Sequence, residues 1–349
     1  MSYIEKPRLI PPSLRKNTLG LTLRDYEGSM STLCAGCGHD SVTAAIIQAF
    51  YEMETPPHEV VKLSGIGCSS KTPTYFLGPA HGFNAAHGRM PAIATGANAA
   101  NRKLMYIGIS GDGDSLSIGL GQMAHAIRRN LRMTYIIENN GVYGLTKGQF
   151  SASADFGSKS KRGEANRFGP IDPALMALSI GATFIARSFS GDKRQLVPIL
   201  KAALTHQGFA LIDVISPCVT FNDHEGSTKS YRYTREHRHE IAHADFVPIK
   251  QEITADYQGS TEIRMHDGSV LRFTKVAEGY DPSKRDAVFA YLTKAHQAGE
   301  IPTGILYLEA SDADMHKIQN TAETPLAQLP FEKLCPGSAG LDSLLDDFR

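Results

Sequence analysis

The sequence has no excess of charge of either sign: 36 lysines and arginines stand against 36 aspartates and glutamates. That balance excludes a basic nucleic-acid binder and a polyanionic tail, so no nucleic-acid partner is expected. It also has no apolar run of 18 residues, so no membrane-spanning helix is expected. The opening stretch, MSYIEKPRLIPPSLRKNTLG, carries charges and prolines where a signal peptide needs unbroken apolar residues. The expectation is a soluble, cytoplasmic protein with no membrane partner. Cysteine is scarce, with only Cys34, Cys37, Cys68, Cys218 and Cys335 in 349 residues. So odd and sparse a set excludes a disulfide framework and leaves metal binding or idle thiols. No internal repeat is visible. The 42% of hydrophobic and 21% of charged residues are those of a globular chain, not a disordered or fibrous one. The length allows one large domain or two ordinary ones.

From about Ser41 to Asp245, β-branched stretches alternate with helical patterns, the signature of a parallel sheet with helices on both faces. The clearest unit is a buried strand over Leu104–Ser110, an amphipathic helix over 116–130 with Leu116, Leu120, Met123, Ala124 and Ile127 on one stripe, and a second buried strand over Met133–Ile137. A further unit follows: a helix opened by Asp172-Pro173, a strand near Thr183–Ala186, a helix from about Asp192 to Thr205, and a strand at Ala210–Ile215. The segments 144–169 and 222–239 are long polar loops, of the kind that close a site or cover a partner. After residue 245 the character changes. A hairpin turning on Asp267-Gly268, a helix over Asp281–Ala298 and a strand over Gly304–Glu309 precede an irregular polar end from Ser311. The expected organisation is therefore a catalytic domain over 1–245 and a small C-terminal extension over 246–349, in contact with a partner subunit.

Both strands of the clearest unit end in polar, ligand-type residues, where doubly wound sheets bind ligands. The first ends in Gly111-Asp112-Gly113-Asp114 and the second in Asn139-Asn140-Gly141-Val142. Magnesium takes hard oxygens from one or two side chains, from a carbonyl and from a bound phosphate. Asp112 offers a carboxylate, Asn140 an amide oxygen and Val142 a backbone carbonyl. Gly111 and Gly113 let backbone N–H groups approach a diphosphate, and the helix that follows points its positive end at the same place. Gly-Asp-Gly alone also reads as a tight turn, and a nicotinamide site would show G-x-G-x-x-G, which is missing. The 28 residues from Asp112 to Asn140 fit strand, helix and return strand, and the pair is the pattern of the thiamine-diphosphate enzymes.

The cysteines form a second constellation. Cys34 and Cys37 make a C-x₂-C, Cys68 lies 31 residues on, and Cys218 a further 150. Four thiolates suit either zinc or an iron–sulfur cluster. Cys335 is a bystander.

The runs CAGCGH (34–39), GIGCSSKTP (65–73), HGRMPAIATG (87–96), GDGDSLSIGLGQMAHAIRRN (111–130) and NNGVYGLTKGQ (139–149) resemble the β subunit of the 2-oxoacid:ferredoxin oxidoreductases. The resemblance extends from about Tyr26 to Tyr233. It implies a doubly wound α/β fold that binds thiamine diphosphate and holds one 4Fe–4S cluster. It further implies cluster ligands at Cys34, Cys37, Cys68 and Cys218, with magnesium at Asp112, Asn140 and Val142. Ile66, Gly67, Cys68 and Ser69 would lie along the thiazolium, with His87, Asp114 and Gly144 beside the cofactor and Thr146 on its diphosphate. Lys71 and Leu145 would sit near the side chain of the 2-oxoacid, and the run 222–237 is similar to members acting on 2-oxoglutarate.

Activity of this kind takes a 2-oxoacid and coenzyme A to acyl-CoA and CO₂, with electrons passing singly to ferredoxin, or runs in reverse. For 2-oxoglutarate the product is succinyl-CoA, a step of the tricarboxylic acid cycle type. The activating glutamate for thiamine is not evident in this chain, so the resemblance implies a separate α subunit that supplies it, in an αβ or (αβ)₂ assembly. Pyruvate is the alternative substrate. A non-redox thiamine enzyme leaves the four cysteines unexplained, and a zinc-stabilised, non-catalytic binding module leaves the Gly-Asp-Gly and Asn-Asn pair unexplained. Read singly, Lys71 also fits a solvated lysine, His81 and His125 fit packing or capping residues, and Arg128, Arg129, Arg235 and Arg238 fit solvated faces.

Overall fold

The computed structural model describes residues 11–160, 163–247, 260–264, 269–275, 280–310, 313–335 and 337–348. Its first half is built from α1 (Gly38–Glu52), β1 (Val60–Ser64), β2 (His81–Asn84), α2 (Met90–Ala100), β3 (Met105–Gly111), α3 (Leu120–Arg128) and β4 (Met133–Asn139). A short ribbon, β5 (Val142–Tyr143) with β6 (Gln149–Phe150), leads to α4 (Pro173–Ser179), β7 (Phe184–Phe189), α5 (Lys193–Thr205) and β8 (Phe209–Ile215). The remainder is α6 (Tyr231–His237), β9 (Arg238–Val247), β10 (Ser260–Arg264), β11 (Val270–Lys275), α7 (Arg285–Gln297), β12 (Ile301–Leu308), α8 (Met315–Gln319), α9 (Phe331–Leu334) and α10 (Ala339–Asp346).

Strands β4, β7 and β8 are mostly apolar and buried along their whole length, with Glu138, Asn139, Arg187 and Asp213 among their buried polar exceptions. The helices that cover them start where the sequence places caps. The Asp172 carboxylate accepts from the N–H groups of Ala174 and Leu175 at the head of α4, with Pro173 in the first helical position, and Asp192 accepts from Gln195 N at the head of α5.

Six strands run parallel in the order β7-β8-β4-β3-β1-β2. Two apolar layers flank the sheet: α1 and α5 supply Ile46, Phe50, Leu196 and Leu200 to one, and α2, α3, α4 and α7 supply Met90, Met123, Leu178 and Leu292 to the other. From β1 the chain moves outward to edge strand β2 and then returns to place β3 on the other side of β1. The order therefore reverses between β1 and β3, and a crevice opens beyond their C-terminal ends.

The structure departs from the sequence reading in three places. The helix expected over 116–130 starts as α3 at Leu120, after a π-helical turn over Gly113–Ile118 closed by a bond from Gly119 N to Asp114 O (2.8 Å). Wide turns of this kind recur at functional sites. The strand expected within a separate extension after residue 245, β12, instead lies inside the main sheet, antiparallel to β7 and parallel to β9. A buried apolar strand (IPTGILYL) stabilises the fold only between two neighbours, and β9 and β7 provide them. The end from Ser311, read as irregular, contains α8, α9 and α10; each spans about two turns or fewer, too short for a periodicity to register. The antiparallel pair β10–β11 matches the expected hairpin, and its turn at Asp267-Gly268 lies outside the described residues. Among the described residues no helix is long and apolar enough to cross a membrane.

Candidate active site

Three loops meet in the crevice, and Asp114 fastens them. Its carboxylate accepts from Ile66 N (3.2 Å) in the loop after β1 and from Gly88 N (2.7 Å) in the HGR run. It also meets His87 Nδ1, and its second oxygen takes the Ser110 hydroxyl from β3. Both oxygens of Asp114 are thus used within this chain. A side chain at position 65 would be impossible, since a Cβ there would lie 1.9 Å from Asp114 Oδ2. Ile66 and Leu145 stand exposed at the mouth of the crevice, 39% and 48% accessible. An apolar pair held open to solvent in this way suits a covering partner or ligand.

Asp112 is divided between two tasks. Oδ2 accepts from Gly141 N (3.0 Å), from Ser153 Oγ (2.6 Å) and from Ser151 Oγ, whereas Oδ1 has only a long approach from Asn140 N (3.4 Å). One oxygen is tied down, and the other keeps its lone pairs in a buried setting. Burial pushes the Asp112 carboxyl upward against the lowering effect of Ser151 and Ser153; a neighbouring cation would relieve that strain on the charged form. Asn140 lies beside it, with its backbone carbonyl held by Asn222 Nδ2 (2.8 Å) and its amide oxygen facing Val142 N (3.1 Å). Gly141 makes the turn at φ 75°, where a Cβ would collide with Asn222. Tyr143 closes over Gly113, its hydroxyl donating to Gly113 O (3.0 Å). Asp112, Asn140 and Val142 are therefore together, as the sequence leads one to expect of a magnesium site. Thr146 is exposed and donates to Gln149 Oε1 (2.6 Å).

The cysteines gather next to this crevice, and none is in a disulfide. A Cβ on Gly144 would stand 3.5 Å from Cys68 Sγ and 3.7 Å from Cys218 Sγ. Gly38 N donates to Pro217 O, joining the Cys37 segment to the Cys218 segment, and the Thr220 hydroxyl reaches Cys34 Sγ (3.6 Å). Burial pushes the Cys37 thiol up to about 12, helped by Glu138 and Cys218. It raises Cys68 too; there Lys71 works in the opposite sense, favouring the thiolate, while Cys218 and Cys34 add to the rise. Among the described residues no three His, Cys, Asp or Glu side chains are gathered about one point as a single ion requires. Lys71, expected beside the substrate, stands one turn after Cys68 and acts on its charge. Cys335 is exposed, far along the chain between α9 and α10.

Sequence reading missed Glu138, Ser151, Ser153 and Asn222. Glu138 is a carboxyl at the end of a strand that is otherwise apolar, and that contrast was its one signal. It is fully buried, accepts from the Thr72 hydroxyl (3.0 and 3.1 Å) and lies 3.4 Å from His39 Nδ1. Burial raises Glu138 well above its ordinary value and lowers His39 to about 4, so the imidazole is neutral at pH 7. A histidine whose folded pKa lies below its usual 6.5 binds protons better in the unfolded chain. Its contribution is complete above about pH 6.5 and is lost as pH falls toward about 4. Thermal melts across that window are expected to show a falling Tm, with a shallower fall in His39→Gln. Equal slopes in the two proteins would assign the acid sensitivity elsewhere.

A doubly wound sheet with a Gly-Asp-Gly turn and an Asn-Asn turn facing each other at the reversal of strand order defines a diphosphate-binding domain of the thiamine enzymes. In agreement, residues 65–214 match the family model "Thiamine pyrophosphate enzyme, C-terminal TPP binding domain". The chain belongs to the β subunits of the 2-oxoacid:ferredoxin oxidoreductases. It is 45% identical over 191 residues to the 2-oxoacid:ferredoxin oxidoreductase subunit beta of Saccharolobus solfataricus, covering 54% of this chain and 63% of that one. It is 40% identical over 222 residues to the 2-oxoglutarate oxidoreductase subunit KorB of Mycobacterium tuberculosis, covering 61% and 59%. With the 2-oxoglutarate synthase subunit KorB of Methanocaldococcus jannaschii it shares 35% identity over 189 residues, covering 54% and 69%. The chain thus spans about three fifths of the length of the first two relatives. In structure it is similar to a chain of the 2-oxoglutarate:ferredoxin oxidoreductase from Magnetococcus marinus, solved with 2-oxoglutarate, coenzyme A and succinyl-CoA bound. The TM-score is 0.72 and the identity 26%, over 94% of this chain and 96% of that one.

Proposed function

We infer that this chain is the thiamine-diphosphate-binding half of an oxidoreductase acting on a 2-oxoacid, 2-oxoglutarate before pyruvate. The overall change would be oxidative decarboxylation with coenzyme A to acyl-CoA and CO₂, or its reverse, with electrons leaving singly for ferredoxin. The observation that carries this reading is the juxtaposition of two donor sets. Asp112 keeps one free carboxylate oxygen beside Asn140 and Val142, and four cysteines outside any disulfide lie on neighbouring segments, Cys68 and Cys218 about Gly144 and the Cys34 and Cys37 segment bonded to that of Cys218. The substrate preference rests on the relatives named for 2-oxoglutarate.

Both donor sets fit the groups they would hold. Hard oxygens from Asp112, Asn140 and the Val142 carbonyl suit Mg²⁺ bridging to a diphosphate. Four thiols spread about a volume suit a 4Fe–4S cluster better than one zinc ion, whose tetrahedral sulfurs would stand about 3.8 Å apart at the usual Zn–S length. When bound, thiamine diphosphate supplies the nucleophile and the electron sink for losing CO₂ from a 2-oxoacid, and the cluster supplies a one-electron exit. This chain's own part is positional. Asp114 holds the Ile66 loop and the His87 loop at fixed separation, Tyr143 roofs Gly113, and Ile66 and Leu145 offer an apolar mouth that a partner closes against water.

Glu138, the buried glutamate near the crevice, is engaged by Thr72 and His39 on the cysteine side, which leaves the aminopyrimidine without a carboxylate from it. A second subunit would supply that group. The isolated chain is accordingly expected to show no coenzyme A-dependent decarboxylation of 2-oxoglutarate, with turnover appearing when its partner is added. A rate for the chain alone equal to that of the complex overturns this division of labour. In the complex, viologen reduction with 2-oxoglutarate is expected to exceed that with pyruvate, and the opposite ranking would correct the substrate.

A further inference from the structure

Behind Asp112 lies a buried polar chain that the reaction does not use. Ser153 Oγ sits 2.6 Å from Asp112 Oδ2 and 2.8 Å from Asn139 Oδ1. Asn139 Nδ2 donates to Asp213 Oδ1 (3.0 Å), and the other oxygen of Asp213 accepts from Arg187 Nε (2.8 Å). Arg187 Nη2 donates to Asp172 Oδ1 (2.7 Å), the same oxygen that caps α4. Asn139, Ser153, Arg187 and Asp213 are all at least nine-tenths buried. They line one cavity together with Gly299 and Ile301, at the start of the strand that the C-terminal part adds to the sheet.

The donor count makes this chain directional. A serine hydroxyl has one proton, and Ser153 has two acceptors for it. The Asp213 carboxylate, held in place by Arg187 Nε, has only acceptors to offer. Asn139 must therefore turn its NH₂ toward Asp213, which leaves its oxygen facing Ser153. That oxygen competes with Asp112 for the Ser153 proton, so Asp112 keeps more of its negative charge for a cation. Were Asn139 free to flip, its NH₂ would donate to Ser153, and the hydroxyl would give its whole hydrogen bond to Asp112. The carboxylate would then be a poorer metal ligand.

We propose that Asp213, oriented by Arg187 and acting through Asn139 and Ser153, is a positioning residue that sets the metal affinity of Asp112. This rests on the reading of Asp112 as a magnesium ligand. The test is the Kd of Mn²⁺ for the full chain in the presence of thiamine diphosphate, read by the loss of the free-ion electron paramagnetic resonance signal. Asp213→Asn keeps the shape but lets Asn139 flip, and it is expected to weaken binding by about tenfold, within the range for an outer-shell partner. In a Ser153→Ala background, where the link is cut, the same substitution is expected to change Kd by less than about twofold. An Asp213→Asn effect that is absent in the parent, or equally large in Ser153→Ala, overturns the proposal while leaving the ligand reading intact. Absence of Mn²⁺ uptake by the parent chain overturns both. Should Asp213→Asn fail to accumulate, Asn139→Ala, which removes the acceptor that competes with Asp112 for the Ser153 hydroxyl, takes its place in the same cycle with the same expected outcomes. A matched control, Thr134→Val on β4, loses a buried hydrogen bond to Ala203 O; it is expected to lower Tm without moving the Kd.

Discussion

Asp112→Asn is expected to abolish measurable binding of thiamine diphosphate in the presence of Mg²⁺. Oδ2 of Asp112 is already committed to Gly141 N and to two serine hydroxyls, so Oδ1 is the oxygen left for a cation. Exchanging the carboxylate for an amide removes the one formal negative charge among Asp112, Asn140 and the Val142 carbonyl. It also sets an NH₂ group against the Gly141 N–H and the Ser151 and Ser153 hydroxyls. Loss of an outer-shell partner typically costs about 10–100-fold in metal affinity, and loss of the charged ligand should exceed that. Calorimetric titration of the cofactor with Mg²⁺ is the measurement. An affinity within a few-fold of the parent would remove Asp112 from the metal site. Asp112→Ala is the harsher form, because it strands three buried donors at about 1–3 kcal/mol each, and its failure to fold would say nothing about the metal. The isosteric amide is therefore the decisive variant.

Cys218→Ser is expected to yield a colourless chain with little iron or sulfide, where the anaerobically purified parent is brown with about four irons, as four-thiolate ligation of a cubane cluster requires. Cys218 stands beside Gly144, as Cys68 does, and its segment is bonded to that of Cys37 through Pro217. Removing it opens one side of the set. Cys335→Ser is the control: it lies exposed between α9 and α10 and should leave iron unchanged. With Cys37 pushed up to about 12, that thiol is protonated when free, so loading the cluster releases its proton and becomes less favourable as the solution is acidified. Stoichiometric zinc in the parent would recast the four cysteines as structural and the chain as half of a non-redox thiamine enzyme. Iron retained in Cys218→Ser would break the four-cysteine assignment alone.

Much of this site was legible in the chain because a parallel sheet constrains where ligands go. Buried strands such as MTYII have no polar side chains to spare, so the residues at their C-terminal ends carry the chemistry, and Asp112 and Asn140 fall there. Asp114 was legible as a polar residue in the same turn but not as a clamp. Its partners, Ile66, Gly88 and His87, come from two other loops, and only the reversal of strand order between β1 and β3 brings those loops to it. Lys71 reads as a substrate contact in its motif, and its charge also favours the Cys68 thiolate, an effect the motif alone does not reveal.

By itself, then, the sequence determined the fold class, the two donor sets and the family to which the chain belongs. Those features are written in local pattern: strand hydrophobicity, turn glycines and fixed spacings. Tertiary structure alone decided which oxygen of Asp112 is free, since Ser151 and Ser153 reach it from a loop 39 and 41 residues away in the chain. It alone decided that β12, near the end of the chain, completes the main sheet beside β7, and that Glu138 and His39 sit together in the interior. The physical reason is common to all three. Hydrogen bonds and burial act between neighbours in space, and no periodicity in a single segment records which distant segment will arrive to complete them.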